Sequence, residues 1–436
     1  MSNEEKAMPG LSYGQILSTL GGSVREFKST SVWTPILVVG EVVIECIIPF
    51  MTAQLIDQLN LGAGMDVIVR YALILVGLAL ASLAFGAGAG YTCSVAATGF
   101  ARNLRHDMFQ SIQDFAFSNI DRFSTSSLVT RLTTDTTNVQ QAYMMLIRTA
   151  IRSPLMLTFA IVMAFVTGGS MAVIYVVVAI VLGFFLFGIA AKVMPMFRRI
   201  FREYDRLNDS VEENVSGIRV VKSFVREEFE KQKFKQASGN LYHDFVHVER
   251  LLAFNAPIMT LAIDVIYTVV IFFGSRAIIQ SQGALMNVGQ LSALITYGFS
   301  MLMSLMMFSM VFVMITMSEE SARRICEVLL EKSDLTSPEG GLTEVPDGSV
   351  DFDHVDFEYS RKAERMALSD IDLHIKSGEV IGVIGGTGSS KSTLIQLISR
   401  LYDVTNGSVR VGGHDVREYD LDTLRDQVAV VLQRNV

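Results

Sequence analysis

Gly385-Gly386-Thr387-Gly388-Ser389-Ser390-Lys391-Ser392-Thr393 follows the apolar run Val380–Ile384 and leads into Leu394, Ile395 and Ile398 at helical spacing. The stretch therefore predicts a strand, a tight glycine-rich turn and a helix beginning at Lys391. Such a turn points backbone N–H groups inward, and the positive end of the following helix adds to them. Together they cradle a phosphate group. Ahead of this cradle lies a long series of apolar runs, so one chain joins a phosphate-binding loop to a membrane domain.

The phosphate-loop pattern G-x-x-x-x-G-K-[ST] is met by Gly385, Lys391 and Ser392, but Ser390 stands where a second glycine is expected. Lys391 would reach the β- and γ-phosphates and Ser392 would ligate Mg²⁺. Ser390 keeps its N–H but adds a Cβ. A positive φ there would store roughly 1–2 kcal/mol.

Half of the 436 residues are hydrophobic, mean hydropathy is +0.40 and only 18% are charged. This balance fits a membrane protein with a soluble appendage. The net charge of -8 gives no sign of nucleic-acid binding. Cys46, Cys93 and Cys326 lack paired spacing and predict three incidental thiols. Residues 1–20 show no pattern of a cleaved signal.

Runs long enough to cross a bilayer lie at 33–56, 68–93, 144–167, 171–194, 256–280 and 291–317. The short outer loops are almost free of Lys and Arg. The inner segments carry Arg102, Arg105, Arg122 and Arg131, then Arg198, Arg199, Arg202, Arg206 and further cations to Lys235. Both termini are accordingly placed in the cytoplasm of a multi-pass cell (plasma) membrane protein. The inner connections near 100–142 and 195–250 are long and keep helical spacing, for example Phe197, Phe201 and Tyr204. Ile16–Thr30 fits an interfacial helix, and Ser318–Lys332 a helical extension of the last span.

The expected fold is an α-helical six-span transmembrane domain followed by an incomplete α/β P-loop NTPase domain. In residues, this is an N-terminal cytoplasmic or interfacial segment at 1–30, the membrane domain at 31–332, a linker at 333–349 and the nucleotide-binding part at 350–436. Within the last, strands are predicted at Val350–Phe357, Ile371–Ile375, Val380–Ile384, Val409–Val411 and Val428–Leu432. Helices are predicted from Lys391 to about Leu401 and at Leu421–Gln427.

With these motifs in this order, the chain resembles the ATP-binding-cassette exporters whose membrane domain precedes the cassette. The resemblance covers essentially all residues. It implies ATP and Mg²⁺ as cofactors, held by Gly385, Gly386, Thr387, Gly388, Ser389, Ser390, Lys391, Ser392 and Thr393. Tyr359 of Phe357-Glu358-Tyr359 would stack on adenine, and Gln433, in the place of the Q-loop, would join Ser392 at the metal. Phe123–Arg131 and Glu212–Phe224 look like the two coupling corners that dock onto cassettes. The family's Walker B Asp, catalytic Glu, signature motif and switch His lie beyond the Q-loop, so no catalytic residue is assigned here and a longer natural product is expected. The implied partners are a second half-transporter (homo- or heterodimer), the lipid bilayer and an amphiphilic small molecule, multidrug or lipid-like, with no nucleic acid. A non-catalytic subunit of a heterodimer is the alternative.

Cargo is less legible. Glu41 and Glu45 lie one turn apart on the first span, with Asp264 in the fifth. They fit either a cation-attracting cavity or pairing with Arg148 or Arg152. The methionines of the sixth span, from Met301 to Met317, fit either an adaptable binding surface or packing. Pro35, Pro49, Pro154 and Pro257 are candidate kinks.

Overall fold

The computed structural model describes residues 11–283, 286–359 and 365–431. The chain divides into two compact units, one of 24–100 with 138–319 and the other of 1–23, 101–137 and 320–436.

The first unit is helical. It contains α2 (Lys28–Asn60), most of α3 (Met65–Gln113), α6 (Thr136–Met144), α7 (Ala150–Gly168), α8 (Val173–Ser216), α9 (Ile218–Ser223), α10 (Glu227–Ala253), α11 (Asn255–Ser281) and most of α12 (Val288–Leu330). Among the described residues, five helical runs are long and apolar enough to cross a bilayer. One of them, Thr125–Phe197, takes in two of the six predicted spans. It is interrupted by a 3-10 turn at Gly169–Ala172, where Gly169 adopts φ 54°. In hydrocarbon each peptide group needs a partner within its own segment, and a continuous helix supplies it. Side-chain hydroxyls then seek leftover carbonyls: Tyr175 donates to Leu294 O at 2.7 Å and Tyr297 to Cys46 O at 2.8 Å. Both rings are buried in a core with Ile266, Leu294 and Met301.

Pro35 and Pro49 lie inside α2 and Pro154 inside α7, as does the unforeseen Pro195 in α8. Pro257 sits in the first turn of α11, where its missing N–H costs no helical bond. A π turn at Met145–Thr149 precedes α7 and was not foreseen.

The second unit combines α1 (Tyr13–Gly22), the end of α3, α4 (Phe117–Arg122), α5 (Thr125–Thr130) and the end of α12 with a small sheet. A buried ionic cluster joins the loop of α4 and α5 to α12. Arg131, 1% exposed, donates to Arg324 O at 2.7 Å, pairs with Glu327 at 3.0 Å and lies over the Phe123 ring. Asp135 is fully buried and accepts from Ser321 at 2.9 Å and Arg324 at 2.6 Å. Arg122 reaches Glu331 with one nitrogen on both oxygens, at 3.0 and 2.9 Å.

The sheet has the order β2-β1-β3-β4 and is antiparallel throughout. Its strands are β1 (Val350–Phe357), β2 (Leu368–Ile375), β3 (Asn406–Val411) and β4 (His414–Asp415). Phe352, Val355, Phe357, Val409 and Val411 fill one face against Leu397 of α13 (Lys391–Ile398) and Leu424 of α14 (Leu421–Gln427). β1 bulges at His354 (φ 46°), opposite Asp370 (φ 49°) on β2. On the β3 side Gly407 meets the bulge, and a Cβ there would lie 2.3 Å from His354 O.

Two predicted strands are corrected. Residues 380–384 form no strand, and Val380 and Ile384 are 98% and 97% exposed. Over 428–431 no strand forms either, with Val431 86% exposed; Leu432 lies outside the described residues. Both runs are apolar on both faces, the composition of a strand covered by neighbours on two sides. A strand needs a ladder partner, and among the described residues neither run has one. Helix α13 stops at Ile398, short of Leu401, because Arg400 turns to φ 49° and pairs with Asp403 at 2.8 Å.

Two exposed imidazoles tie β1 to β2: His354 to Asp370 at 2.7 Å and His374 to Asp351 at 2.8 Å. These hydrogen bonds raise both pKa values above the usual 6.5. A raised folded pKa adds stability that is complete below pH 6.5 and lost as pH rises through the shifted value. Amide-exchange protection over 350–357 and 368–375 in the full chain should thus fall as pH rises above 6.5. The double variant His354→Gln, His374→Gln should flatten that change, and an equal fall in the variant would contradict the assignment.

Candidate functional site

The loop ahead of α13 closes on itself. Ser389 N–H and Oγ both donate to Gly386 O, at 3.3 and 2.9 Å. Lys391 Nζ donates to Gly385 O at 2.9 Å, Gly386 O at 2.7 Å and Ser389 Oγ at 3.2 Å. The ammonium thus lies inside the loop, where a phosphate oxygen would compete with neutral carbonyls for it. A Cβ at Gly385 would come 2.5 Å from Ser389 Oγ and would turn that hydroxyl away from the loop. Ser390 takes φ 57° and ψ 26° at the start of the helix. The departure from glycine noted in the sequence therefore falls on a left-handed residue, with strain of about 1–2 kcal/mol.

Of the remaining sequence-predicted residues, Gly386, Thr387, Gly388 and Ser389 line the exposed turn, Ser392 is exposed on the first turn of α13, and Thr393 is buried. Gln433 lies outside the described residues. Tyr359 is brought to α13: its hydroxyl shares a 2.9 Å bond with Thr393 and donates to Gln396 at 3.3 Å. Its ring stands edge-on to Phe357 and Tyr402, with centroids 4.8 and 5.3 Å away, and is 52% exposed.

Tyr402 was missed in the sequence, where it is an isolated aromatic in a turn. Its hydroxyl donates to Asp121 of α4 at 2.6 Å, and Phe117 of α4 packs beside it with centroids 6.1 Å apart. Burial pushes the Tyr402 phenol above its ordinary range, and the bond to Asp121 adds to the shift. A chain of contacts therefore runs from Thr393 through Tyr359 and Tyr402 to the corner of α4 and α5. At that corner α5 is capped by Ser124, whose Oγ accepts from Ser127 N at 3.2 Å. At the second corner Gly217 breaks the helix before α9, and Val220, Phe224 and Val225 are exposed.

In the membrane unit the two readings of Glu41 and Glu45 resolve into pairing. Arg152 donates to Glu41 Oε1 at 2.8 Å and to both oxygens of Glu45 at 2.7 and 2.8 Å. Met301 is buried in the core, whereas Met303, Met306, Met307, Met310 and Met317 are exposed.

Two family models match the chain: the ABC transporter transmembrane region over residues 34–310 and the ABC transporter model over residues 368–436. An uncharacterised ABC transporter ATP-binding protein of Bacillus subtilis, YfiB, is 30% identical over 398 residues, which are 91% of this chain and 69% of that protein. An uncharacterised counterpart from Mycobacterium tuberculosis is 30% identical over 422 residues, 96% of this chain and 72% of its own length. The ATP-dependent lipid A-core flippase of Pectobacterium atrosepticum is 25% identical over 382 residues, 87% of this chain and 64% of the flippase.

Replacing Ser390 by Gly removes the strain at the cost of glycine's extra freedom, a net gain of about 0.5–1 kcal/mol. The folded nucleotide unit should gain about that much stability in Ser390→Gly and lose about 1–2 kcal/mol in Ser390→Val, whose branched side chain resists a positive φ. Chemical denaturation of the full chain followed by amide exchange over 391–398 reads both, and a reversed order would contradict the strained-loop geometry.

Proposed function

The chain belongs to the ABC transporter family, and we propose that it is one half of an ATP-driven exporter. In this reading six spans place both termini in the cytoplasm of the cell membrane, and two halves, identical or different, sandwich two nucleotides. Closure of the nucleotide units drives the helices from inward- to outward-facing. Amphiphilic molecules, multidrug or lipid-like, are the cargo.

The observation that carries the reading is the loop of Gly385 to Ser390 closed around the Lys391 ammonium at the head of α13. Lys391 would turn from the loop carbonyls to the β- and γ-phosphates, and Tyr359 would offer its exposed ring to the base. Ser392, with Gln433, would hold Mg²⁺, whose role is to neutralise charge on the phosphates. The donor set suits this: a helix N-terminus, a hydroxyl and a cation, with exposed backbone between them. The exposed Val220, Phe224 and Val225 of the second corner supply an apolar surface for docking on a partner's cassette. Ser390, standing where the loop pattern has glycine, favours the second reading, a nucleotide site in a heterodimer whose partner does most of the turnover.

Lys391→Ala in the full chain with its partner half removes a charge-assisted bond to phosphate. It should weaken Mg·ATP binding by about 10–100-fold. Unchanged binding would overturn the nucleotide site. Unchanged turnover with lost binding would select the non-catalytic reading.

A further inference from the structure

The membrane unit lines an open cavity of about 620 Å³ between the first span, the π turn ahead of α7 and α12. That volume lies within the roughly 300–1,000 Å³ of small-molecule sites. Its walls are Met156, Phe299, Met303 and Met307, with Ser300 and Ser304 among them. The charged groups facing it are Glu45, Arg148 and Arg152. Arg152 is committed, one nitrogen to Glu41 and the other to both oxygens of Glu45. Glu45 is committed in return. Arg148 is half-buried and, among the described residues, has neither an ion pair nor a hydrogen bond. It lies within the π turn Met145–Thr149, an irregularity frequent at functional sites.

An unpaired guanidinium inside a span is costly unless a partner arrives. Its planar fork matches phosphate and carboxylate, and the methionine wall adapts to varied apolar shapes. We propose that this cavity takes an amphiphile with an anionic head, phosphate, sulfate or carboxylate, whose oxygens pair with Arg148 while its tail lies on Met303, Met307 and Phe299. Of the two acidic residues nearby, Glu45 lines the cavity, and both its oxygens are already taken by Arg152. The proposal deepens the exporter reading and rests on it only in treating the cavity as a cargo site.

The full chain in a neutral maltoside detergent is titrated with dodecyl phosphate, dodecanoate and dodecyltrimethylammonium, which share a tail, and binding is read by native mass spectrometry. One anion or both should bind about tenfold tighter than the cation, and which anion binds identifies the head group. Arg148→Gln should abolish the preference and Arg148→Lys should retain it. Glu45→Gln, which frees one nitrogen of Arg152, should leave anion binding equal or tighter. Equal binding of all three probes overturns the proposal, as does an anion preference unchanged in Arg148→Gln, or a cation preference lost in Glu45→Gln. Mg·ATP binding in the same samples separates the two readings: its retention beside a failed head-group preference rejects the anionic cargo alone, and its loss rejects the exporter.

Discussion

A peptide group in hydrocarbon meets no water, so its hydrogen bonds must be made inside the protein, and a helix makes them within one segment. That limit keeps the membrane unit helical, and α3 and α8, of 49 and 44 residues, carry the helix on past the roughly 20 residues a bilayer needs. It also sets where polarity is tolerated. Hydroxyls such as those of Tyr175 and Tyr297 are spent on carbonyls of neighbouring helices, and charges occur in compact groups such as Glu41, Arg152 and Glu45.

In the second unit, outside the apolar spans, water lifts this limit and side chains take over the work of joining segments. Arg131, Asp135, Arg324 and Glu327 form a buried cluster between stretches nearly two hundred residues apart in sequence. Removing one partner of such a cluster leaves the others charged and desolvated, a loss of about 3–5 kcal/mol. The cluster thus specifies which face of α12 receives the loop after α5. The π turn at Arg131–Asp135 brings Arg131 and Asp135 within reach of that helix together.

Local signals were legible where local physics decides. β1 and α14 run over the residues expected, β1 because its apolar Phe352, Val355 and Phe357 are buried on either side of the bulge and α14 because Asp420 accepts from Thr423 N at 3.0 Å to start it. The runs at 380–384 and 428–431 were misread because their apolar composition reports the neighbours a strand requires, not the strand itself. Long-range choices were hidden for a related reason. Arg148 and Arg152 stand one turn apart and offered equal partners to Glu41 and Glu45; the helix packing selects Arg152. Within the candidate nucleotide site, the loop and its lysine were legible as a motif. The approach of Tyr359 to Thr393 and Gln396 depends on how β1 crosses α13, which no short window contains.

The contact between Tyr402 and Asp121 starts from the aromatic that would face the base, not from the end of the loop that would face the terminal phosphate. In the proposed reading, a base stacked on Tyr359 would press on Tyr402 and, through its hydroxyl, on Asp121 of α4. The corner after α4 would then sense whether the base side of the pocket is filled.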